Sequence, residues 1–225
     1  MASAVRASEA ETVGQGPSGR SARKRQDIIG AATTLFLRNG YQGTSMDEVA
    51  TRAGVSKQTV YKHFADKEEL FRAIVEGVTG NSDQVVAELT AAFAGAEVRT
   101  LDDLVVRLTS VARHYLDAVL RGQVLSLRRL VIAETERFPD LARAYYDRAP
   151  SRGIDIIATA LRTYVDGGLI AADDLRLAAA HFAYLTLSIT QDKAMFSPAD
   201  QPGEAERDYL SREAARVFVA AYQVR

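Results

Sequence analysis

SMDEVATRAGVSKQTVYKHF, residues 45–64, contains two helix starts separated by one tight turn. Ser45 followed three residues later by Glu48 is a capping box, in which each side chain takes up a free backbone N–H at a helix start. It places a short helix from Met46, with Met46, Val49, Ala50 and Ala53 on its inner face. Gly54 suits the turn that ends it, because glycine enters the left-handed backbone region without a Cβ penalty. Ser56 then caps a second short helix that runs to about His63. At roughly 100° per residue, Val60 and Phe64 share one face of that helix and anchor it. The opposite face carries Gln58, Thr59 and Lys62, flanked by Lys57 and Tyr61 on one side and His63 on the other. All of these offer hydrogen-bond donors and none is acidic, which suits contact with phosphates and base edges. Two short helices joined by a glycine turn form a helix-turn-helix, whose second helix fits the major groove.

Upstream, Ile28, Ile29, Ala32, Leu35 and Phe36 recur at helical spacing, and Asn39-Gly40 closes that helix. Downstream, Asp66 and Glu69 form another capping box ahead of Leu70, Phe71, Ile74, Val75 and Val78. Further helices are predicted at about 84–94, 101–121, 123–137, 140–166, 173–195 and 205–222, with Pro150 kinking or splitting the fourth of these. No stretch alternates long enough for a sheet, so the fold class is all-α. A flexible arm is predicted at 1–20, a helix-turn-helix DNA-binding domain at 21–67, and a larger helical domain at 68–225. Gly14 to Gly19 spell G-x-G-x-x-G, but an acidic tail rather than a strand precedes them and Pro17 interrupts them. The match is therefore read as accidental.

Of 225 residues 47% are hydrophobic and 25% charged, enough for a packed core in an ordinary globular chain. The net charge is −1, yet nine of the bases and only four of the acids fall between Arg20 and Lys67. A basic module on an acidic remainder points to a polyanion partner at one end only. It also argues against a sequence-nonspecific DNA-packing protein, which needs a basic whole. The chain has no cysteine and three histidines, so disulfides and thiolate chemistry are excluded. There is no phosphate-binding loop, nucleophile elbow or metal-ligand cluster. An all-α enzyme thus has little to work with, and no cofactor or metal is expected. The longest uncharged run, between Arg176 and Asp192, is too short to span a bilayer. The expected location is the cytoplasm.

The residues Gly40-Tyr41, Thr44-Ser45, Val49-Ala50, Ala53 to Ser56, Thr59, Tyr61, Phe64, Lys67 and Leu70 resemble the TetR family of bacterial transcriptional regulators. The upstream run IIGAATTLFLRNGY resembles that family's first helix, so the likeness covers about residues 22–75. The stretch LRRLVIAETERFPDLARAYYD, Leu127 to Asp147, is similar to the C-terminal domain of the AcrR/AefR-like branch. The resemblance implies phosphate contacts from Thr44, Ser45, Tyr61, His63 and Lys67, with Lys62 beside them. It implies base contacts from Lys57, Gln58 and Thr59, with Tyr61 adjoining. Chemically, lysine can donate to guanine, glutamine can pair with adenine, and a threonine methyl can touch thymine. Arg20, Arg23, Lys24 and Arg25 suit either a basic arm in the minor groove or a solvated tail.

The resemblance further implies a homodimer formed by the last two helices, a double-stranded operator as partner, and a small-molecule effector. Leu177, Ala180, His181, Tyr184, Leu185 and Ser188 share one face of the penultimate helix; Ala214, Val217, Phe218, Ala221 and Tyr222 share one of the last. Periodicity alone leaves open whether these faces form a dimer interface or internal core. Polar candidates for an effector cavity among the apolar central helices are His114, Tyr115, Arg128, Tyr164, His181, Tyr184 and Gln191. With no charge cluster, an apolar or amphipathic effector is favoured. The expected function is a ligand-responsive repressor; an activator of the same fold is the alternative.

Overall fold

The computed structural model describes residues 17–80, 82–95 and 97–224. Its helices are α1 Pro17–Asn39, α2 Met46–Ala53, α3 Lys57–His63, α4 Lys67–Gly80, α5 Ser82–Phe93 and α6 Leu101–Val119. They continue as α7 Gly122–Ala133, α8 Pro139–Tyr146, a π-helical turn Asp147–Ser151, α9 Arg152–Asp166, α10 Leu175–Phe196 and α11 Glu204–Tyr222. No strand forms among the described residues beyond an isolated bridge between Ile170 and Gln223.

The short helices are fixed by local chemistry. Ser45 Oγ accepts from the Glu48 N–H at 3.2 Å, and the Glu48 carboxylate accepts from the Ser45 N–H at 2.9 Å. Gly54 sits at φ 66°, and the Val55 N–H returns to the Ala50 carbonyl at 3.1 Å. Ser56 caps α3 through the Thr59 N–H at 3.1 Å. At α4, Asp66 accepts from the Glu69 N–H at 2.8 Å, while Glu69 reaches past it to the Ala65 N–H at 2.7 Å.

Two details depart from expectation. Pro17–Arg20, assigned to the arm, form the first turn of α1. Residues 1–16, with the Gly14 and Gly16 of the glycine motif, lie outside the described residues. Residues 123–137 are not one helix: α7 ends at Ala133, Glu134 leaves helical geometry at φ −106° and ψ 13°, and Pro139 opens α8 at its first position. Pro150 divides the 140–166 segment, as its position predicts, without ending the run of helix. It lacks an N–H and crowds the preceding turn, and the helix widens there into a π turn that runs on into α9.

Two hydrophobic clusters result. The larger gathers α6, α9, α10 and α11 around Leu108, Leu116, Ile157, Leu161, Phe182 and Phe218, all fully buried. The second packs Ile28, Ala32, Phe36, Val49, Val60, Phe64, Leu70, Phe71 and Ile74 from α1–α4. It also takes in Leu127, Leu130 and Val131 of α7, Phe138, and Leu141 and Tyr145 of α8. At its centre the Phe138 ring lies 5.1 Å from Tyr41 and 5.4 Å from Phe71, with Arg72 stacked on it at 5.5 Å. Arg72 also pairs with Asp140 at 2.6 Å and with Glu68 at 3.0 Å, which holds its guanidinium above the usual arginine range. The α1–α4 module is therefore seated on α7–α8.

Candidate functional site

Val60, fully buried, and Phe64 pin α3 to the module core, as their spacing requires. Lys57, Gln58, Tyr61 and Lys62 are exposed on the outer side, with Thr59 and His63 half-buried at its edges. Lys57 Nζ lies 2.8 Å from the Asp47 carboxylate of α2, and that hydrogen bond and charge raise its pKa. The Thr59 and Ser56 hydroxyls share a hydrogen bond at 2.8 Å. Ser45 is exposed, although its hydroxyl also reaches Glu48 at 3.0 Å.

Two phosphate candidates are also engaged within the module. Thr44 is 2% exposed, and its hydroxyl donates to the Gly40 carbonyl at 2.9 Å, so this side chain closes the α1–α2 turn. Lys67 is half-buried: its ammonium donates to the Tyr41 and Thr44 carbonyls, each at 3.0 Å, and lies 4.5 Å from the Tyr41 ring centre. One of its three protons is left for a phosphate. Arg20, Arg23, Lys24 and Arg25 ride on α1 as exposed helical residues, with Arg25 stacked over Phe64 at 5.0 Å.

A cavity of about 230 Å³ opens between α5, α6, α7, the π turn and α9. Its wall is mostly apolar, with Val86, Leu89, Val119, Leu127, Pro150 and Ile156 contributing. Tyr115 and Arg128 are the two predicted residues that line it. A Cβ on Gly153 would come within 2.9 Å of the Tyr115 hydroxyl, so the missing side chain there makes room for the phenol. Burial pushes the Tyr115 pKa up to about 12, against the pull of the Arg128 charge. Tyr115 thus stays a neutral O–H donor at physiological pH. At the rim, Arg121 pairs with Glu88 at 2.6 Å, and Gln84 donates to the same carboxylate at 3.0 Å. These contacts hold the Glu88 carboxyl below its usual range, Arg121 contributing most.

The other candidates lie elsewhere. Consecutive helix residues are about 100° apart, so the turn that aims Tyr115 inward aims His114 out. His114 is exposed, with Nδ1 2.7 Å from the Ser110 carbonyl. Tyr164 is buried in the larger core, where desolvation raises its pKa. His181 shares a 2.6 Å hydrogen bond with the Tyr222 hydroxyl on the outside of α10, and Tyr184 is 54% exposed there. Gln191 is half-buried, its Nε2 without a partner and outside the cavity.

Residues 28–74 match the family described as bacterial regulatory proteins, tetR family. Residues 106–224 match the C-terminal domain described as AefR-like transcriptional repressor. The chain belongs to the TetR family of transcriptional regulators. A solved TetR-family transcriptional regulator from Mesorhizobium loti MAFF303099 is 37% identical, superposes with a TM-score of 0.80, and matches over 91% of this chain and 99% of that one. The solved flavonoid-responsive regulator FrrA is 28% identical with a TM-score of 0.67, over 91% of this chain and 99% of FrrA. Among curated relatives, the transcriptional regulator AcrR of Shigella flexneri is 27% identical over 83% of this chain and 86% of its own.

Within this TetR-family chain, four site residues escaped sequence reasoning. Asp47 faces Lys57 across the turn, a pairing visible only once two helices are folded against each other. Arg121, Tyr145 and Pro150 line the cavity from three separate segments. Tyr145 and Leu127 belong at once to the cavity wall and to the cluster that seats α1–α4. The predicted face of the last helix also divides. Ala214 and Phe218 are core, and Tyr222 stacks on Phe218 at 4.7 Å. Val217, 41% exposed, and Ala221 face outward.

Proposed function

We propose that this TetR-family regulator is a homodimeric, cytoplasmic repressor without catalytic activity. It grips a palindromic operator through α3 and is released when a small apolar or amphipathic molecule fills the cavity between α5 and α9. The observation that carries this reading is the double membership of Leu127 and Tyr145. A ligand that displaces either side chain acts directly on the packing beneath the DNA-facing helices. The route needs no long relay: α7 and α8 are wall of the cavity and seat of the module. The ligand shifts the equilibrium only by its differential affinity for the two arrangements. A coupling of about 1–3 kcal/mol changes operator affinity roughly 5–150-fold. FrrA, named as flavonoid-responsive, supports a small-molecule effector for a chain of this shape.

The dimer rests on an exposed apolar face. On α10, Leu177 is 52%, Tyr184 54%, Leu185 40% and Ile189 67% exposed, and on α11 Val217 is 41% exposed. Apolar side chains gathered this way mark an association surface. On DNA, Gln58, Lys57 and Thr59 read base edges while Tyr61, Lys62, His63, Ser45 and the free proton of Lys67 meet phosphates. The alternative, activation, has one supporting observation. FasR of Mycolicibacterium smegmatis, named a transcriptional activator, is 33% identical over 96 residues, 40% of its length. Selection of binding sites from random duplex DNA tests the reading. The selected sites are expected to be two-fold symmetric, and sites without symmetry or no enrichment would overturn it.

A further inference from the structure

The cavity wall has an electrostatic imbalance. No aspartate or glutamate lines it, whereas two arginines do. They are not equivalent. Arg121 is neutralised by Glu88 at 2.6 Å. Arg128 forms no salt bridge among the described residues, and its Nε is buried without a hydrogen-bond partner. A buried guanidinium N–H without an acceptor is costly, and a charged hydrogen bond relieves that cost. Tyr115, a second donor on the same wall, is close enough to Arg128 to respond to its charge. The rest of the lining is dominated by valine, leucine, isoleucine, alanine and proline.

We infer that the effector is a small amphipathic anion, an aromatic or aliphatic body bearing a carboxylate, whose head is held by Arg128 and Tyr115. This deepens the proposed function and rests on the cavity being its effector site. Arg128 supplies the charge and a planar fork of donors that matches a carboxylate's two oxygens. Tyr115 adds one O–H. The 230 Å³ volume lies below the usual range of about 300–1,000 Å³ for ligand sites, so the apolar body is no larger than a fused bicyclic ring or a medium-length chain.

The test uses three acids, 2-naphthoate, 4-phenylbutanoate and octanoate, each against its neutral primary amide, titrated calorimetrically into the full chain. At least one acid is expected to bind about 10- to 100-fold more tightly than its amide, the span of one charged hydrogen bond. In Arg128→Met that preference disappears while amide affinity stays. Arg128→Lys, which keeps the charge and loses the fork, retains part of it. The comparison on the unmodified chain reads the charge preference even where a variant folds poorly. Equal affinity for acid and amide, no binding by any acid, or a preference that survives Arg128→Met would overturn the inference. The same six compounds added to the operator complex separate this inference from the reading it rests on. Release by amides as well as acids sustains the switch and overturns the anion site. Arg128-dependent acid binding without release sustains the anion site and overturns the switch.

Discussion

Phe138→Ala probes the joint on which the coupling depends. The ring is 3% exposed and packs within 5.1 Å of Tyr41 and 5.4 Å of Phe71, centre to centre. The guanidinium groups of Arg72 and Arg137 cover it at 5.5 and 5.7 Å. Truncating a buried phenylalanine costs about 3–5 kcal/mol through lost transfer energy and the cavity left behind. For a chain of this size 1 kcal/mol moves Tm by about 2–4 °C, so the expected fall is roughly 6–20 °C. A folded domain of about 5–15 kcal/mol stability survives this in weakened form. Ile132→Ala, six residues earlier and 58% exposed, is the control and is expected within about 0.5 kcal/mol of the parent. Calorimetry gives the total, and hydrogen exchange gives its location. Amides of α1–α4 lose protection while those of α6 and α11 keep theirs. A Tm within the control's range, or protection lost evenly over the chain, would refute the claim that this ring seats the DNA-facing module on α8.

Three further substitutions read separate parts of the account. Asp47→Asn removes the carboxylate that holds Lys57; binding to duplex DNA is expected to tighten severalfold, and fluorescence anisotropy at several salt concentrations checks it. Lys67→Ala removes the ties to Tyr41 and Thr44 as well as a phosphate contact. It is expected to flatten the salt slope by about one and to cost about 1.5–3 kcal/mol in chemical denaturation, and a change in only one of the two would show that a single role is real. Ile189→Lys places a charge on the exposed face of α10, and light scattering is expected to give a dimer for the parent and a monomer for the variant.

The helix-turn-helix was legible because every signal that builds it is local. Ser45 with Glu48, Gly54 and Ser56 fix starts and stops within four residues of themselves, and Val60 and Phe64 mark the inner face of α3. The seating of that module was not legible. Periodicity says which face of α7 or α8 is apolar but not which neighbour it meets, so Leu127 and Tyr145 gave no sign of serving two clusters. The same limit explains His114, adjacent to Tyr115 and turned the other way. It also explains the last helix, where Val217 and Phe218 look alike in sequence and one is exposed while the other is core. Thr44 and Lys67 carry groups that suit phosphate contact, but the α1–α2 turn uses their hydrogen-bonding capacity first.

The central claim is that α3 of two copies reads one symmetric operator. Hydroxyl-radical footprinting on a selected site tests it most directly, comparing the parent with Gln58→Ala. The account predicts two protected half-sites on one face of the duplex, centred about 34–36 Å apart or somewhat more. It further predicts that Gln58→Ala costs about 1–3 kcal/mol on that site and relaxes preference at one or two symmetric positions while phosphate protection persists. A single protected half-site, or a variant with unchanged base preference, would contradict it.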